Sequence, residues 1–351
     1  MNKTSQRNMT VDMLRGVAML MVVWGHTVTA CTVDSQNSFL FNLIWALQMP
    51  LFMLISGYVT IFSRSKHTVY DLKKYLFRRT ISYILPWISW TFVVRGLIFG
   101  RYHFFDLKWL LYNMDSGYWF LFSIWTIAVI FGVSQYLAWL ITKKECLTDI
   151  ALTCIFTVVG ACVLAGIGLV ASLSFLCIKL TLYYIPFYLA GYIYGKVQPF
   201  ARKCQVYEKA VSVVVVISAA LSLACIYRIN LYEIEDNMAG IATRAITSLL
   251  GCVAICGLMP KLFESVKLKK IKCFLSYVGN RSLEVYVIHG LCLAPAFPQE
   301  DIMFGSFNGV VVTIVNFTLT LLVSFFVERI ISSNQMANMF LFGKVAKSKT
   351  D

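Results

Sequence analysis

Three ionisable residues interrupt the first apolar run of the chain, V-D-M-L-R-G-V-A-M-L-M-V-V-W-G-H-T: Asp12, Arg15 and His26. Arg15 and His26 are eleven positions apart. In an α-helix that is three turns with roughly 20° of offset, so both side chains point the same way, about 16 Å apart along the axis. Asp12 precedes Arg15 by three positions, the spacing of an ion pair on one helix face. An ionisable group within an apolar span costs several kcal/mol when unpaired and marks a candidate site. A neutral imidazole suits proton abstraction from a hydroxyl, and it can equally serve as a nucleophile. A structural alternative stays open at this point: an interfacial Asp–Arg pair reaching the membrane surface, and a core histidine bonded to a backbone carbonyl.

A second constellation lies near the end of the chain, V-G-N-R-S-L-E-V-Y-V-I-H at 278–289. Arg281 and Glu284 are spaced to pair on one face, and Ser282 and His289, seven apart, share a face. His289 falls about 15 residues into its apolar run, a depth like that of His26, so the two imidazoles are expected to line one cavity, on the side of the acceptor. The alternative is a structural Arg281–Glu284 pair with His289 capping a helix. The eleven cysteines are scattered through apolar stretches without a C-x-x-C pair. Cys252 and Cys256 lie one helical turn apart and read as small packing residues, so no metal site is expected.

The elements that must carry these residues follow from composition. The chain has 351 residues, 59% hydrophobic and 14% charged, with a mean hydropathy of +0.72. Soluble domains are about 45–50% apolar and about 25% charged, so a disordered chain, a nucleic-acid-binding domain and an ordinary cytosolic enzyme are excluded. A span needs roughly 20 apolar residues. About ten stretches qualify, near 13–33, 39–61, 80–100, 118–141, 149–171, 176–195, 210–228, 240–260, 274–295 and 306–331. They are too long and continuous for barrel strands, which leaves helices as the spanning structure. The expected fold is an all-α polytopic membrane protein, one transmembrane domain over 1–351, with no soluble domain, linker or internal repeat.

Of the 31 lysines and arginines behind the net charge of +14, 22 fall in the two tails and the even-numbered loops. The odd-numbered loops hold only Arg101, Lys108 and Arg228, and carry acidic residues such as Asp34, Asp106, Glu233, Glu235, Glu300 and Asp301. The positive-inside rule then puts both termini in the cytoplasm, in agreement with an even span count. The run ending Val28-Thr29-Ala30-Cys31 is somewhat like a signal sequence, but Asp12 and Arg15 at its start argue for an uncleaved segment.

The second stretch ends Q-M-P-L-F-M-L-I-S-G-Y-V, with Pro50, Ser56, Gly57 and Tyr58. The basic segment D-L-K-K-Y-L-F-R-R-T-I-S-Y-I-L-P-W follows. The order R-x10-H, then M-P-L-F-x-x-x-S-G-Y, then basic residues ahead of a proline resembles the membrane acyltransferase-3 family of O-acyltransferases. G-Y-W-F-L at Gly117–Leu121, Y-Y-I-P-F-Y-L-A-G at Tyr183–Gly191 and V-G-N-R-S-L-E-V-Y-V-I-H extend the likeness over nearly the whole chain. One departure stands out. The family often carries R-x-x-R before the proline of its third span, and here Arg79 takes the first place while Ser82 stands in the second.

The resemblance implies transfer of an acyl group, most readily acetyl from acetyl-CoA, to a hydroxyl of a cell-surface polysaccharide such as O-antigen, or of its lipid-linked precursor. It implies residence in the cytoplasmic (inner) membrane of a bacterium. It gives His26 the role of base; Arg15, between the cytoplasmic mouth and His26, is the second catalytic candidate, positioning the donor or holding Asp12. Arg78, Arg79 and Lys74, cytoplasmic in the topology above, are candidates for the donor phosphates. Asp12, Ser56, Tyr58, Trp119, Arg281, Glu284 and His289 are candidates for binding or supporting roles. Trp119 is either part of an interfacial belt or a sugar-stacking surface. A transporter or flippase of a glycan precursor, without chemistry of its own, is the competing expectation, and a non-catalytic scaffold is a third. Nothing in the sequence bears on oligomeric state.

Overall fold

The computed structural model describes residues 8–63, 65–100, 107–115, 117–171, 174–201, 207–263, 268–293 and 302–344. Of the charges behind the topology expectation, Lys3, Arg7, Arg64, Arg101, Asp106, Arg202, Lys203, Lys267, Glu300, Asp301, Lys347 and Lys349 lie outside the described residues. Among the described residues the chain is helical throughout. The order is α1 (Met9–Cys31), α2 (Phe39–Val59), α3 (Val69–Ile88), α4 (Arg95–Phe99), α5 (Leu107–Tyr112), α6 (Trp119–Thr142), α7 (Leu147–Val170), α8 (Ile178–Ala201), α9 (Tyr207–Arg228), α10 (Met238–Leu262), α11 (Lys269–Asn280), α12 (Ser282–Cys292), α13 (Phe307–Ser332) and α14 (Gln335–Phe342). Among the described residues the one extended pairing is an isolated bridge between Val33 and Met303.

Nine of these helical stretches are long and apolar enough to cross a membrane. Several leave apolar side chains on the outside: Val158, Val159 and Val163 of α7 and Val213, Val214 and Val216 of α9 are each more than half exposed. In water such contiguous apolar surface would drive association; against lipid it is the expected exterior. The polypeptide is an all-α polytopic membrane protein.

Contacts divide it into two compact units, one from Met1–Ser56 with Val197–Glu328, the other from Gly57–Lys196 with Arg329–Asp351. In the first unit, α1 starts at Asn8, whose side chain caps the amides of Thr10 and Val11. Beyond the cap, α1 and α11 meet backbone to backbone. A Cβ on Gly16 would overlap the Leu275 carbonyl, and one on Gly279 would overlap the carbonyl of Asp12. Close approach of this kind is the usual way membrane helices gain contact where no hydrophobic force acts between them.

The stretch expected at 274–295 is not one helix. It forms α11 and α12, broken at Arg281, whose backbone leaves the helical region at φ −112°, ψ 19°. Gly279 and Asn280, poor helix formers, precede the break. Residues 294 and 295 lie outside the described residues. Elsewhere in this unit Asn42 of α2 bonds the carbonyls of Ile226 and Ile229 and accepts from the amide of Leu231, tying α2 to the end of α9.

In the second unit the third span begins at Val69 rather than near 80. Thr68 and Asp71 form a reciprocal capping box there, which satisfies two orphan amides and starts the helix early. Lys73, Lys74, Arg78 and Arg79 therefore ride on the first three turns of α3 and not on a loop. Pro86 removes one amide from α3, and the chain continues as a π-helical turn over Ser89–Val94. That turn is held by Ser89 Oγ and Trp90 Nε1, which donate to the carbonyls of Phe340 and Leu341 at the end of α14. The α2 segment in this unit approaches α8 closely at Gly57, where a Cβ would overlap the carbonyl of Tyr188.

Candidate functional site

The first unit gathers the histidines. Because α1 is unbroken from Met9 to Cys31, Arg15 and His26 sit on one rod, three turns apart. The rings of His26 and His289 lie 5.3 Å apart between centroids, tilted by 39°. The break at Arg281 sets the direction of α12, and α12 delivers His289. His289 is 4% exposed, and its Nδ1 is 2.7 Å from the Tyr286 carbonyl and 3.1 Å from that of Val285. A carbonyl only accepts, so Nδ1 carries the proton and Nε2 of the neutral ring keeps its lone pair. His26 is exposed on the bare protein surface. Among the described residues no protein group hydrogen-bonds its ring nitrogens, so both are available to a substrate.

The other charged candidates of the first unit lie further along these helices. Asp12 and Glu284 are buried, at 5% and 1% exposure, and Arg15 is half-buried. Arg281 Nε lies 3.3 Å from the carboxylate of Glu328 on α13, and its guanidinium covers the ring of Tyr277 at 4.0 Å. Glu328 was not a candidate from sequence. It is 47 positions from Arg281, and no local spacing signals such a pair. Ser56 closes this unit's share of α2 and is half-buried.

The second unit holds the basic candidates. Arg78 is exposed and Lys74 half-buried. Arg79 is drawn inward: Nη1 donates to the Tyr83 hydroxyl at 3.3 Å, and the hydroxyls of Tyr75 and Tyr188 face it as well. Tyr58 packs its ring against Phe62 and Tyr194. Trp119 is stacked almost parallel on Tyr184, with centroids 5.5 Å apart and planes within 12°, so one of its faces is already covered by protein. A polar cleft is lined by Ser63, Ser65, Lys66, His67, Gln135 and Glu145, among others. In it the Ser65 hydroxyl, and after it Lys196, hold the Glu145 carboxyl below the usual carboxylate range against the opposing effect of burial. Lys66, Tyr75, Tyr83 and Tyr188 escaped sequence reasoning. Lys66 is one loop cation among many in the sequence; Tyr75 and Tyr83, four positions either side of Arg79, had a local spacing that could have signalled them, and Tyr188 had none.

Among the described residues no three His, Cys, Asp or Glu side chains converge where they could hold a metal ion.

A family model described as an acyltransferase domain matches residues 10–329. The chain belongs to the acyltransferase-3 family. No curated protein and no solved structure matches it. The match runs from the first turn of α1 into the last turns of α13, so it takes in both units and every candidate residue named above. The protein is thus a multi-pass membrane acyltransferase.

Proposed function

We propose that this acyltransferase moves an acetyl group from cytoplasmic acetyl-CoA to a hydroxyl of a cell-surface polysaccharide or its lipid-linked precursor, in the inner membrane of a bacterium. The observation that carries the reading is the apposition of His26 and His289, with the proton of His289 fixed on Nδ1 by backbone carbonyls. Ester formation from a thioester needs a base for the hydroxyl proton and donors for the tetrahedral oxyanion. A His26 nitrogen takes that proton as the acceptor oxygen attacks the thioester carbonyl. The oxyanion collapses, the C–S bond breaks, and the imidazolium returns its proton to the departing thiolate. A route through an acetylated His26 uses the same groups in two steps. Arg15 positions the donor or holds Asp12. Both termini are assigned to the cytoplasm, which places the start of α3 at the cytoplasmic face, and there Arg78, Arg79 and Lys74 would meet the phosphates of the donor.

The direct test is incubation of purified membranes with acetyl-labelled CoA and membrane-bound glycan. Label in an alkali-labile ester is the expected result; movement of unmodified glycan without incorporation would replace this reading with transport. Arg79→Ala is expected to raise the KM for acetyl-CoA roughly tenfold or more, the size of a lost charge-assisted hydrogen bond, with a smaller change in kcat. An unchanged KM would remove Arg79 from the donor site.

A further inference from the structure

The link between α2 and α3 buries a lysine that no motif singled out. Lys66 is 4% exposed, although lysines at helix links ordinarily carry their ammonium group into water. Its Nζ donates to Gln135 Oε1 of α6 at 2.5 Å and lies 4.2 Å from the centre of the Tyr75 ring. Arg79 lies against the same ring, its guanidinium carbon 5.2 Å from the centroid. Two cations thus share one tyrosine. Among the described residues neither has a carboxylate partner: Lys66 meets Gln135 and Tyr75, while Arg79 meets Tyr75, Tyr83 and Tyr188.

The carboxylates that line the same cleft are engaged elsewhere. Glu145 accepts from Ser65 Oγ at 2.5 Å and pairs with Lys196 at 3.3 Å, and Asp149 accepts from Thr142 Oγ1 at 3.4 Å. A buried ammonium group without a counter-ion is an unfavourable arrangement that an anion relieves. In keeping with that, burial first, then Arg79 and Lys196, push the Lys66 ammonium down to about 8. The hydroxyls of Ser63 and Thr60 also line the cleft, their protons donated to the carbonyls of Thr60 and Gly57. On its wall His67 stacks flat on Trp139, with 3.6 Å between centroids and 16° between planes. The outer side of the His67 ring is exposed. A buried cation beside a flat aromatic surface in one cleft suits a phosphate attached to a planar base.

We propose that Lys66 is the central cation of a phosphate-binding site in this cleft, and that the group it takes is a phosphate of the acyl donor. The second half of the proposal rests on the acetyl-CoA reading above. The first half stands without it.

The test uses the full-length protein in nanodiscs, with CoA, pantetheine and inorganic pyrophosphate as probes. Lys66→Met is expected to weaken CoA at least about tenfold, the loss of one charge-assisted contact. Pantetheine, which lacks the phosphates, should bind both proteins within twofold, and Lys66→Arg should retain most of the CoA affinity. Should Lys66→Met not fold, Lys66→Gln keeps a donor toward Gln135 and reads the same difference. CoA bound by the charge-free variant as tightly as by the wild type overturns the proposal. So does a Lys66-dependent stabilisation by phosphatidylglycerol over phosphatidylcholine with CoA binding unaltered, which would assign the site to a lipid headgroup. If the wild type ignores CoA, yet pyrophosphate raises its melting temperature and Lys66→Met removes that shift, the phosphate site stands and the acetyl-CoA reading falls.

Discussion

Replacing His26 with alanine is expected to lower acyl transfer about a thousandfold, within the range of about 10²–10⁴ that a positioned general base contributes. The amount of protein in the membrane should not change. His26 is exposed, and among the described residues no protein group hydrogen-bonds its ring nitrogens. Removing the ring therefore deletes the proton acceptor without opening a buried polar network. The neighbouring His289 keeps a lone pair on Nε2, but its ring is buried and held through Nδ1 by the carbonyls of Tyr286 and Val285, so it does not swing into the place of the exposed His26 ring. The measurement is the initial rate of label transfer from acetyl-CoA, normalised to the protein found in the membrane fraction. A rate within tenfold of the wild type would take His26 out of the chemistry. A rate that vanishes together with the protein would show a structural role instead.

The largest effect on folding is expected from Gly279→Val. A side chain there has no space, since the Cβ position is occupied by the carbonyl of Asp12, and the reciprocal contact of Gly16 with Leu275 leaves α1 unable to shift along α11. Overlap with backbone cannot be relieved by a rotamer change, so the helices must separate. Overpacking of a tight core costs about 1–3 kcal/mol, and a backbone–backbone clash lies at or above the upper end of that range. Separation also moves Asp12, Arg15 and His26 away from α12, so activity should fall with stability. Thermal unfolding in detergent, followed by the yield of monodisperse protein, reads the first effect. Gly166→Ala is the matched control: nothing lies within 4 Å of its Cβ position, and alanine in a helix interior is favoured over glycine by roughly 1 kcal/mol. A Gly279→Val protein as stable as this control would show that the α1–α11 contact can open at little cost.

Both predictions turn on features of different legibility. The spans could be read directly, because lipid demands about 20 apolar residues and an internally bonded backbone wherever the chain crosses. Arg15 and His26 could be assigned to one face because helical periodicity alone relates them. Even the shared depth of His26 and His289 follows from counting residues along two apolar runs. The start of α3 was less legible: a Thr–Asp capping box moves it about ten residues ahead of the apolar run, which turns a presumed basic loop into a basic helix face. The break at Arg281 has a short signal, Gly279 and Asn280 just before it, that is easily passed over inside a stretch read as one span.

What the sequence determined by itself was the class of fold, the rod that carries Arg15 and His26, and the family pattern that names the chemistry. Tertiary structure alone decided the partners. Arg281 meets Glu328 of α13, Lys66 of the α2–α3 link meets Gln135 of α6 and Tyr75 of α3, and Arg79 faces Tyr188 of α8 in addition to Tyr75 and Tyr83 one turn away on its own helix. The physical reason is that a local repeat fixes direction and depth along one helix, whereas lateral partners depend on how close two backbones come. Here that distance is set by glycines such as Gly16, Gly57 and Gly279, whose missing side chains acquire meaning only once the neighbouring carbonyl is in place.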